Sequence, residues 1–495
     1  MSSSANPTET LPAPSQKKFF GQPWGLANLF GIELWERFSF YGMQSLLAFY
    51  LYYSVTEGGL GMSEAAALSI VGAYGGFVYM NAIVASFVAD RLIGSERTLF
   101  YSSILVMAGH VALAVLPGFL GLTVGLVCVA VGSGGVKTAA SVVLGQLYSK
   151  EDPRRDAGFS IFYMAVNIGA FFGPMITGAL SVAFNFHVGF GAAAVGMALG
   201  LTQYVLMRKT TIGAAGHDVP NPLPKKGLLP VLGGLAVVVL TFVMLVATGI
   251  IKLEWLANIM LGIALVALVA MMIQMLTSSQ ATEAEKSRLV GFIPMMLGAV
   301  AFFAIFQSQF TILAVYADQR LDLNLFGWEM APSQVTSFNP VFIVLFAGVF
   351  AAIWTKLGKR QPSTAVKFGI ASIIIGVSLF FFLPFTTTGE DGTPIFVVIW
   401  ILFLFTMGEL MLSPVGNSLA TKVAPEKFQS QTMAVWLLAV SMGTSLSGTL
   451  GGLYNPNDPS AEFNFFLWVG IGSIVIGLIM IALKGWVLKK FIDVH

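Results

Sequence analysis

The chain has 495 residues, of which 56% are hydrophobic and only 10% are charged, whereas soluble domains carry roughly 25% charged residues. This composition excludes an ordinary soluble protein and predicts a polytopic membrane protein in a lipid bilayer. The net charge of +2 gives no support to a nucleic-acid partner, and the single cysteine, Cys128, excludes an intrachain disulfide.

Residues 1–23 are predicted to form a cytoplasmic tail, because residues 1–18 are polar and rich in Ser and Pro. They lack the short apolar core and cleavage site of a signal peptide. The rest of the chain contains fourteen apolar runs long enough to cross a bilayer as helices. These lie near 26–53, 65–89, 97–117, 120–145, 156–182, 187–207, 228–250, 254–276, 289–316, 336–356, 364–385, 395–419, 430–453 and 464–487.

The loops between these runs alternate in charge. With a cytoplasmic N-terminus, 22 of the 26 Lys and Arg residues fall in inner segments, while the outer loops are acidic. The positive-inside rule therefore predicts an inner (plasma) membrane protein with both termini in the cytoplasm.

The domain organisation follows from the longest inner linker, 208–227, which is rich in Pro and Gly. We predict an all-α fold with a six-helix bundle at 24–207, an extra helix pair at 228–276 and a second six-helix bundle at 277–488. Residues 489–495 form a C-terminal cytoplasmic tail. The extra pair has few polar residues, so we predict that it faces lipid at the periphery.

The first run places Glu33, Glu36 and Arg37 inside an apolar helix. Intramembrane charges cost roughly 2.5–3.5 kcal/mol each at mid-bilayer, so they are expected to face protein or water. Spacings of three and four residues put all three on one helix face. Either they form an ion pair that only orients the helix, or they take part in function.

Lys137 lies within the fourth run, in the segment Gly132-Ser133-Gly134-Gly135-Val136-Lys137-Thr138. A phosphate-binding loop requires glycine directly before the lysine, so the match fails. The glycines are instead predicted to permit close helix packing, while the ammonium faces a cavity. The alternative is a structural lysine paired with a carboxylate.

Glu409 is the one acid at membrane depth in the second half, and Ser413-Pro414 follows one turn later, where proline allows a bend. It is interpreted as functional, the alternative being a protonated carboxyl bonded to a neighbouring helix. Other polar or aromatic candidates for a pocket are Asn167, Gln307, Gln309, Asn339, Tyr41, Tyr79 and Trp436. Each of these is also compatible with interhelical packing.

The charges divide between the two halves. Arg37 and Lys137 lie in the first bundle and Glu409 in the second, so a zwitterion could bridge them through its anionic and cationic ends. The glutamates beside Arg37 are also able to exchange a proton.

The first helix contains Glu-x-x-Glu-Arg-Phe followed by aromatic residues, from Glu33 to Tyr41. Five further segments with sequences of their own match the same protein family, namely 87–94, 162–167, Asn339-Pro340, 408–410 and 413–416. Together they resemble the proton-dependent oligopeptide transporter family of the major facilitator superfamily. The resemblance runs from about Trp24 to Lys484. It accounts for the extra helix pair, which bacterial members of the family carry between helices six and seven.

This resemblance implies symport of di- and tripeptides with protons by alternating access, with H⁺ as coupling ion and no cofactor. It implies proton coupling by Glu33, Glu36 and Arg37, and capture of the peptide carboxylate by Arg37 and Lys137. The peptide amine would meet Asn167, Asn339 and Glu409. Pocket positions are Tyr41, Tyr79, Trp436, Gln44 and Gln307.

The sequence departs from the family pattern at Gln44, where arginine is frequent, and at Gln307, where an acid is frequent. An ion pair between facing helices is thus replaced by two neutral residues, so we expect the outer gate to close by other contacts.

A carrier of the same fold for an amino acid or another anion is the alternative function. An enzyme is disfavoured because no nucleophile set or metal-ligand spacing appears, and a channel because no pore motif appears. We expect a monomer.

Overall fold

A computed structural model describes residues 17–149, 152–220, 222, 241, 244–245 and 248–492. In these residues, twelve helices are long and apolar enough to span a membrane. The charged helix α1 (Trp24–Tyr52) is a thirteenth long helix, of 29 residues, and reaches about 43 Å at 1.5 Å per residue. The run predicted at 228–250 falls largely outside the described residues, as does part of the predicted linker.

The first bundle contains six helices, whose order and positions agree with the sequence prediction. Helix α1 packs against α5 and α6, and α3 packs against α4 and α6. After α1, the helices are α2 (Glu64–Val88, extended by a π-helical turn at Ala89–Ile93), α3 (Ser95–Val115), α4 (Gly118–Gln146), α5 (Arg155–Ala183) and α6 (Phe186–Thr211).

The second bundle is less regular than predicted. The run predicted at 289–316 is broken into α8 (Glu283–Phe306), a 3₁₀ turn at Gln307–Phe310 and α9 (Ile312–Gln319). Three consecutive polar residues occupy the turn, and such breaks at membrane depth occur where the backbone is covered by protein. The other helices are α7 (Leu256–Thr277), α10 (Phe338–Leu357), α11 (Thr364–Leu379), α12 (Ile395–Val423), α13 (Gln429–Gly451), α14 (Pro459–Ala482) and α15 (Lys484–Phe491).

Strands are minor in the described residues: β1 (Lys18–Phe19) pairs antiparallel with β2 (Gln22–Pro23), and β4 (Asn324–Leu325) with β5 (Trp328–Glu329). The parallel pair of β3 (Leu321–Asp322) and β6 (Thr393–Pro394) ties the end of α9 to the start of α12.

Helix α7, the described member of the extra pair, is not simply peripheral. Most of its surface is exposed as predicted, but one face covers the seam between α2 and α13. The Ser69 hydroxyl of α2 donates to the Glu254 carbonyl and accepts from the Ala257 amide. The Thr449 hydroxyl of α13 donates to Asn258 at 2.9 Å. The helix is therefore attached to both bundles at the end where it begins.

The two ends of the molecule differ in charge and in closure. We call the end with the Lys- and Arg-rich loops the basic face and the opposite end the acidic face. At the acidic face the bundles touch, and a Cβ added at Gly72 of α2 would lie 2.5 Å from the Gly448 Cα of α13. Beside this contact, Gln319 donates to Glu64 at 2.7 Å.

A second acidic-face contact joins α1 to α9. The hydroxyls of Tyr52 and Tyr53 donate to the two oxygens of Asp318, at 2.6 and 2.5 Å. Hydrogen bonds to an ionised acceptor are among the stronger ones in proteins. The acidic face is thus closed by contacts that do not involve Gln44.

We expect the double variant Tyr52→Phe/Tyr53→Phe to open the acidic face more often, because the half-buried Asp318 loses both donors at a cost of about 1–3 kcal/mol. Spin labels on the acidic ends of α1 and α9 would report a larger fraction of long distances. Tyr101→Phe is the matched control, since Tyr101 is exposed on α3. A distance distribution like that of the wild type would show that the tyrosines do not hold this face closed.

Candidate functional site

A cavity of about 1470 Å³ separates the bundles and opens at the basic face. Its walls come from α5 in the first bundle and from α10, α11, α12 and α15 in the second. Asn167 and Glu409 both line it, and Arg360, Lys422 and Lys484 lie on its walls toward the opening. With the acidic face closed, the cavity is accessible from one end only.

The three charges of α1 form a buried cluster. The Arg37 Nε atom lies 3.1 Å from Glu33 Oε1 and 2.6 Å from Glu36 Oε2. From α4, the Ser133 hydroxyl donates to Glu36 Oε1 at 2.6 Å. Arg37 Nη2 and Glu33 Oε2 are buried and find no hydrogen-bond partner within the described part of the chain. The cluster therefore retains a donor for an anion and an oxygen for a proton.

Lys137 projects from α4 but is not among the residues that line the cavity, so its ammonium facing a cavity stays a prediction. Its side chain is exposed, and its Nζ atom lies 4.5 Å from the centre of the Tyr79 ring. The glycines before it allow close packing, since a Cβ at Gly132 would meet α3 and one at Gly134 would meet α2 within 2.7 Å. The structure confirms that these glycines serve helix packing.

Glu409 belongs to the second bundle and lines the cavity. Its charge lies close enough to act on Lys137, Tyr41 and Tyr79. Asn339 donates to Thr406, three residues before Glu409, at 2.9 Å. Groups of opposite sign from the two bundles thus lie within range of each other's charge.

Other predicted pocket residues surround these charges. Tyr41 stacks on Phe310, with ring centres 6.3 Å apart. Asn167 donates to the Tyr163 carbonyl at 2.9 Å. Gln307 contacts Thr444 at 3.4 Å.

Gln44 and Gln307 are both buried, but no hydrogen bond joins them. The Gln44 Oε1 atom has no partner among the described residues. The two amides therefore do not replace an ion pair with a direct bond in this conformation.

Trp436 does not lie on the cavity wall in this conformation. It is 1% exposed and packs within the second bundle against Phe292, Phe303 and Phe368. Its indole nitrogen donates to Asn417 at 2.7 Å, and Asn417 lines the cavity. A single aromatic residue in an apolar run gives no signal that distinguishes a wall position from a packing position.

Sequence reasoning assigned no role to four residues of this region, namely Ser133, Tyr163, Thr406 and Asn417. Ser133 precedes Lys137 by four residues and Thr406 precedes Glu409 by three. Helical spacing from the assigned charges would have found both, because residues three or four apart share a helix face.

Two helical bundles around a polar chamber that opens at one end define a membrane transporter of the major facilitator fold. Residues 96–469 match the model of the POT family. The chain belongs to the POT family.

Relatives support this assignment over nearly the whole chain. An uncharacterized transporter from Bacillus subtilis (strain 168), YclF, is 44% identical over 95% of both proteins. A di-/tripeptide transporter from Lactococcus lactis subsp. cremoris is 38% identical over 97% of this chain and 99% of the relative. The solved structure of a mutant peptide transporter POT in complex with alafosfalin has a TM-score of 0.90 at 39% identity, covering 96% of this chain and 97% of that one.

Proposed function

We propose that the protein imports di- and tripeptides together with protons by alternating access. The observation that carries this proposal is that Glu409 of the second bundle lines the cavity while Lys137 of the first bundle lies within range of its charge. Opposite charges on the two bundles suit a ligand with a carboxylate at one end and an ammonium at the other. The names of the related transporters support the same substrate class.

We propose the following roles for the residues of the site. Arg37 and Lys137 bind the peptide carboxylate, and Glu409, Asn167 and Asn339 bind the amine. Glu33 and Glu36 exchange the coupling proton beside Arg37. Tyr41, Tyr79, Gln44 and Gln307 surround the peptide, and Trp436 acts on it through Asn417. The protein uses H⁺ as its only coupling ion, needs no cofactor and has no enzymatic step.

The proposed topology places the basic face in the cytoplasm, so both termini are cytoplasmic. The protein is further proposed to work as a monomer in the plasma membrane. The bundles at 24–207 and 277–488 rock against each other, and the helix pair at 228–276 stays outside the path of the substrate.

Uptake of a labelled dipeptide into proteoliposomes, with and without an inward proton gradient, tests this proposal. We expect accumulation only with the gradient. Accumulation of the same size without it would remove proton coupling. A competition panel of di-, tri- and tetrapeptides, amino acids and nitrate separates a peptide carrier from a carrier of another anion or amino acid.

We expect Glu409→Gln to weaken binding of dipeptides with a free amine by about ten-fold or more, because hydrogen bonds to charged groups contribute about 1.5–3 kcal/mol. N-acetylated dipeptides should lose less than two-fold. Competition against a labelled peptide gives both values. An equal loss for free and blocked peptides would remove Glu409 from amine binding.

A further inference from the structure

Two β-hairpins of the same design lie at opposite faces of the molecule. The basic-face hairpin (residues 18–23) pairs β1 with β2, and the acidic-face hairpin (residues 324–329) pairs β4 with β5. Each closes over a two-residue Phe-Gly loop, at 20–21 in the first and at 326–327 in the second. All four loop residues have positive φ, with values of 49° and 78° in one loop and 55° and 88° in the other. Positive φ at both loop positions is the signature of a type I′ turn.

Phenylalanine is an unfavourable residue at the first position of such a turn. Type I′ turns select Asn-Gly or Gly-Gly, because the Cβ of most residues is crowded in the left-handed region. Phe20 and Phe326 are nevertheless 73% and 91% exposed, and Phe326 is the most exposed large apolar side chain among the described residues. A ring that suits neither the turn nor the core indicates a partner outside the chain.

The acidic-face hairpin is held firmly at its base and at its tip. The Met330 amide donates to the Leu323 carbonyl at 3.1 Å. The Gly327 amide donates to the Asn324 side chain at 2.9 Å, and the Asn324 amide donates to the Asp322 side chain at 3.0 Å. Strand β3, just before the hairpin, pairs with β6, which leads into α12. The tip is therefore fixed beside the first turn of α12.

The tip of the acidic-face hairpin continues an aromatic surface of the helical bundle. The Phe326 ring meets the Phe396 ring edge to face, with centres 5.6 Å apart. Phe396 and Trp400 are exposed one turn apart on α12, and Trp400 meets the exposed Phe381 ring at 6.4 Å. Helix α12 is long and apolar enough to span the bilayer, so its exposed side faces lipid. Aromatic residues near the ends of such helices lie at the membrane–water interface.

The basic-face hairpin is joined to α1 in a similar way. The Phe20 ring meets the Phe19 ring at 4.7 Å, and Phe19 packs against Trp24 and Phe30 of α1 at 6.3 and 5.6 Å. Lys18 is exposed on the first strand of this hairpin. A cation beside aromatic rings suits the phosphates and the glycerol region of a phospholipid layer.

We propose that both hairpins are membrane anchors, which insert Phe20 and Phe326 into the headgroup region of the nearer leaflet. The partner is the phospholipid bilayer, contacted here by loops rather than by spanning helices. This inference goes beyond the proposed function, because it does not depend on the substrate.

The anchor at the acidic face lies between two contacts that close this face. Before the hairpin, Asp318 of α9 accepts from the tyrosines of α1. After it, in the turn at Pro332–Ser337, the Gln334 side chain donates to the Met175 carbonyl of α5 at 2.8 Å. Lipid contact of the hairpin therefore acts on the segment that joins both closing contacts.

The test compares three residues at position 326 in the full chain, held as single copies in lipid nanodiscs. In a Cys128→Ser background, a fluorophore on Glu329→Cys is quenched by phosphatidylcholine with a nitroxide headgroup. We expect Phe326→Asn to lower this quenching by about two-fold or more, because the depth of an interfacial segment follows its buried apolar area. Phe326→Trp should keep or raise the quenching, since tryptophan favours the interface.

The turn alone predicts the opposite order, because asparagine suits a type I′ turn and tryptophan does not. Phe326→Asn should accordingly leave the midpoint of thermal unfolding in detergent unchanged or higher, which shows that the hairpin is intact. Quenching that is equal in all three proteins, or strongest in Phe326→Asn, would overturn the anchor.

The two hairpins serve as controls for each other. With the fluorophore on Lys17→Cys, Phe20→Asn should lower the quenching and Phe326→Asn should leave it unchanged, and the Glu329→Cys label should respond in the reverse manner. An effect of Phe326→Asn seen only in discs with two copies would overturn the lipid anchor in favour of a contact between copies. These measurements do not involve peptide uptake, so their failure leaves the proposed function in place.

Discussion

Replacing Arg37 by methionine is expected to abolish uptake and to destabilise the protein. The change leaves Glu33 and Glu36 buried without their cation, and breaking a buried ion pair in this way costs about 3–5 kcal/mol. It also removes the donor proposed to hold the peptide carboxylate, so we expect uptake to fall by at least about 100-fold. Thermal unfolding in detergent and proteoliposome uptake measure the two effects separately.

Two further variants separate stability from binding. In Glu33→Gln/Glu36→Gln/Arg37→Met, no charge of the cluster remains, so stability should return while uptake stays absent. Arg37→Lys keeps one charge but loses the planar fork that contacts both glutamates, and should give partial uptake. If the triple variant transported peptide, the cluster would serve only to orient α1.

The second large effect is expected at the closed acidic face. Gly72 of α2 touches the Gly448 backbone of α13, so Gly72→Val should hold the bundles apart and lower uptake by about ten-fold or more, because a packed interface cannot absorb the added volume. Gln309 is buried beneath this face. In a Cys128→Ser background, a cysteine introduced by Gln309→Cys should react faster with an impermeant maleimide, added from the acidic side, when Gly72→Val is present than when it is absent.

Gly472→Val is the control for this prediction, because a Cβ at Gly472 meets nothing within 4 Å, while the helix propensity changes by the same amount. It should leave uptake and labelling as they are. Unchanged labelling in Gly72→Val would show that the acidic face does not close through the contact between α2 and α13.

The sequence predicts most of this fold, because the bilayer requires long apolar helices and an alternation of loop charge. It does not predict the break at Gln307–Phe310, since a covered 3₁₀ turn and a continuous helix have the same hydropathy. The closure of the acidic face by Tyr52, Tyr53 and Asp318 is also absent from the sequence pattern. Asp318 is about 265 positions from the two tyrosines along the chain, and only the packing of the bundles brings them together.

The sequence indicates candidate site residues where a charge lies at membrane depth, since the placement of Arg37 or Glu409 there needs a reason. It gives no such indication where the residue is aromatic. Trp436 fills space between helices, whereas Tyr79 lies under the Lys137 ammonium, and both occur in apolar runs. Which end of the chamber is open also depends on small differences in contact energy that no local pattern contains.

The attachment of α7 to Ser69 and Thr449 has a consequence for the working cycle. Opening the acidic face moves α2 away from α13, so at least one of these hydrogen bonds must break. We therefore expect the empty carrier to favour the conformation that is closed at the acidic face, and the return from this conformation to be the slower half of each turnover. Deleting the first turn of α7 should speed that return and raise the turnover number at saturating peptide.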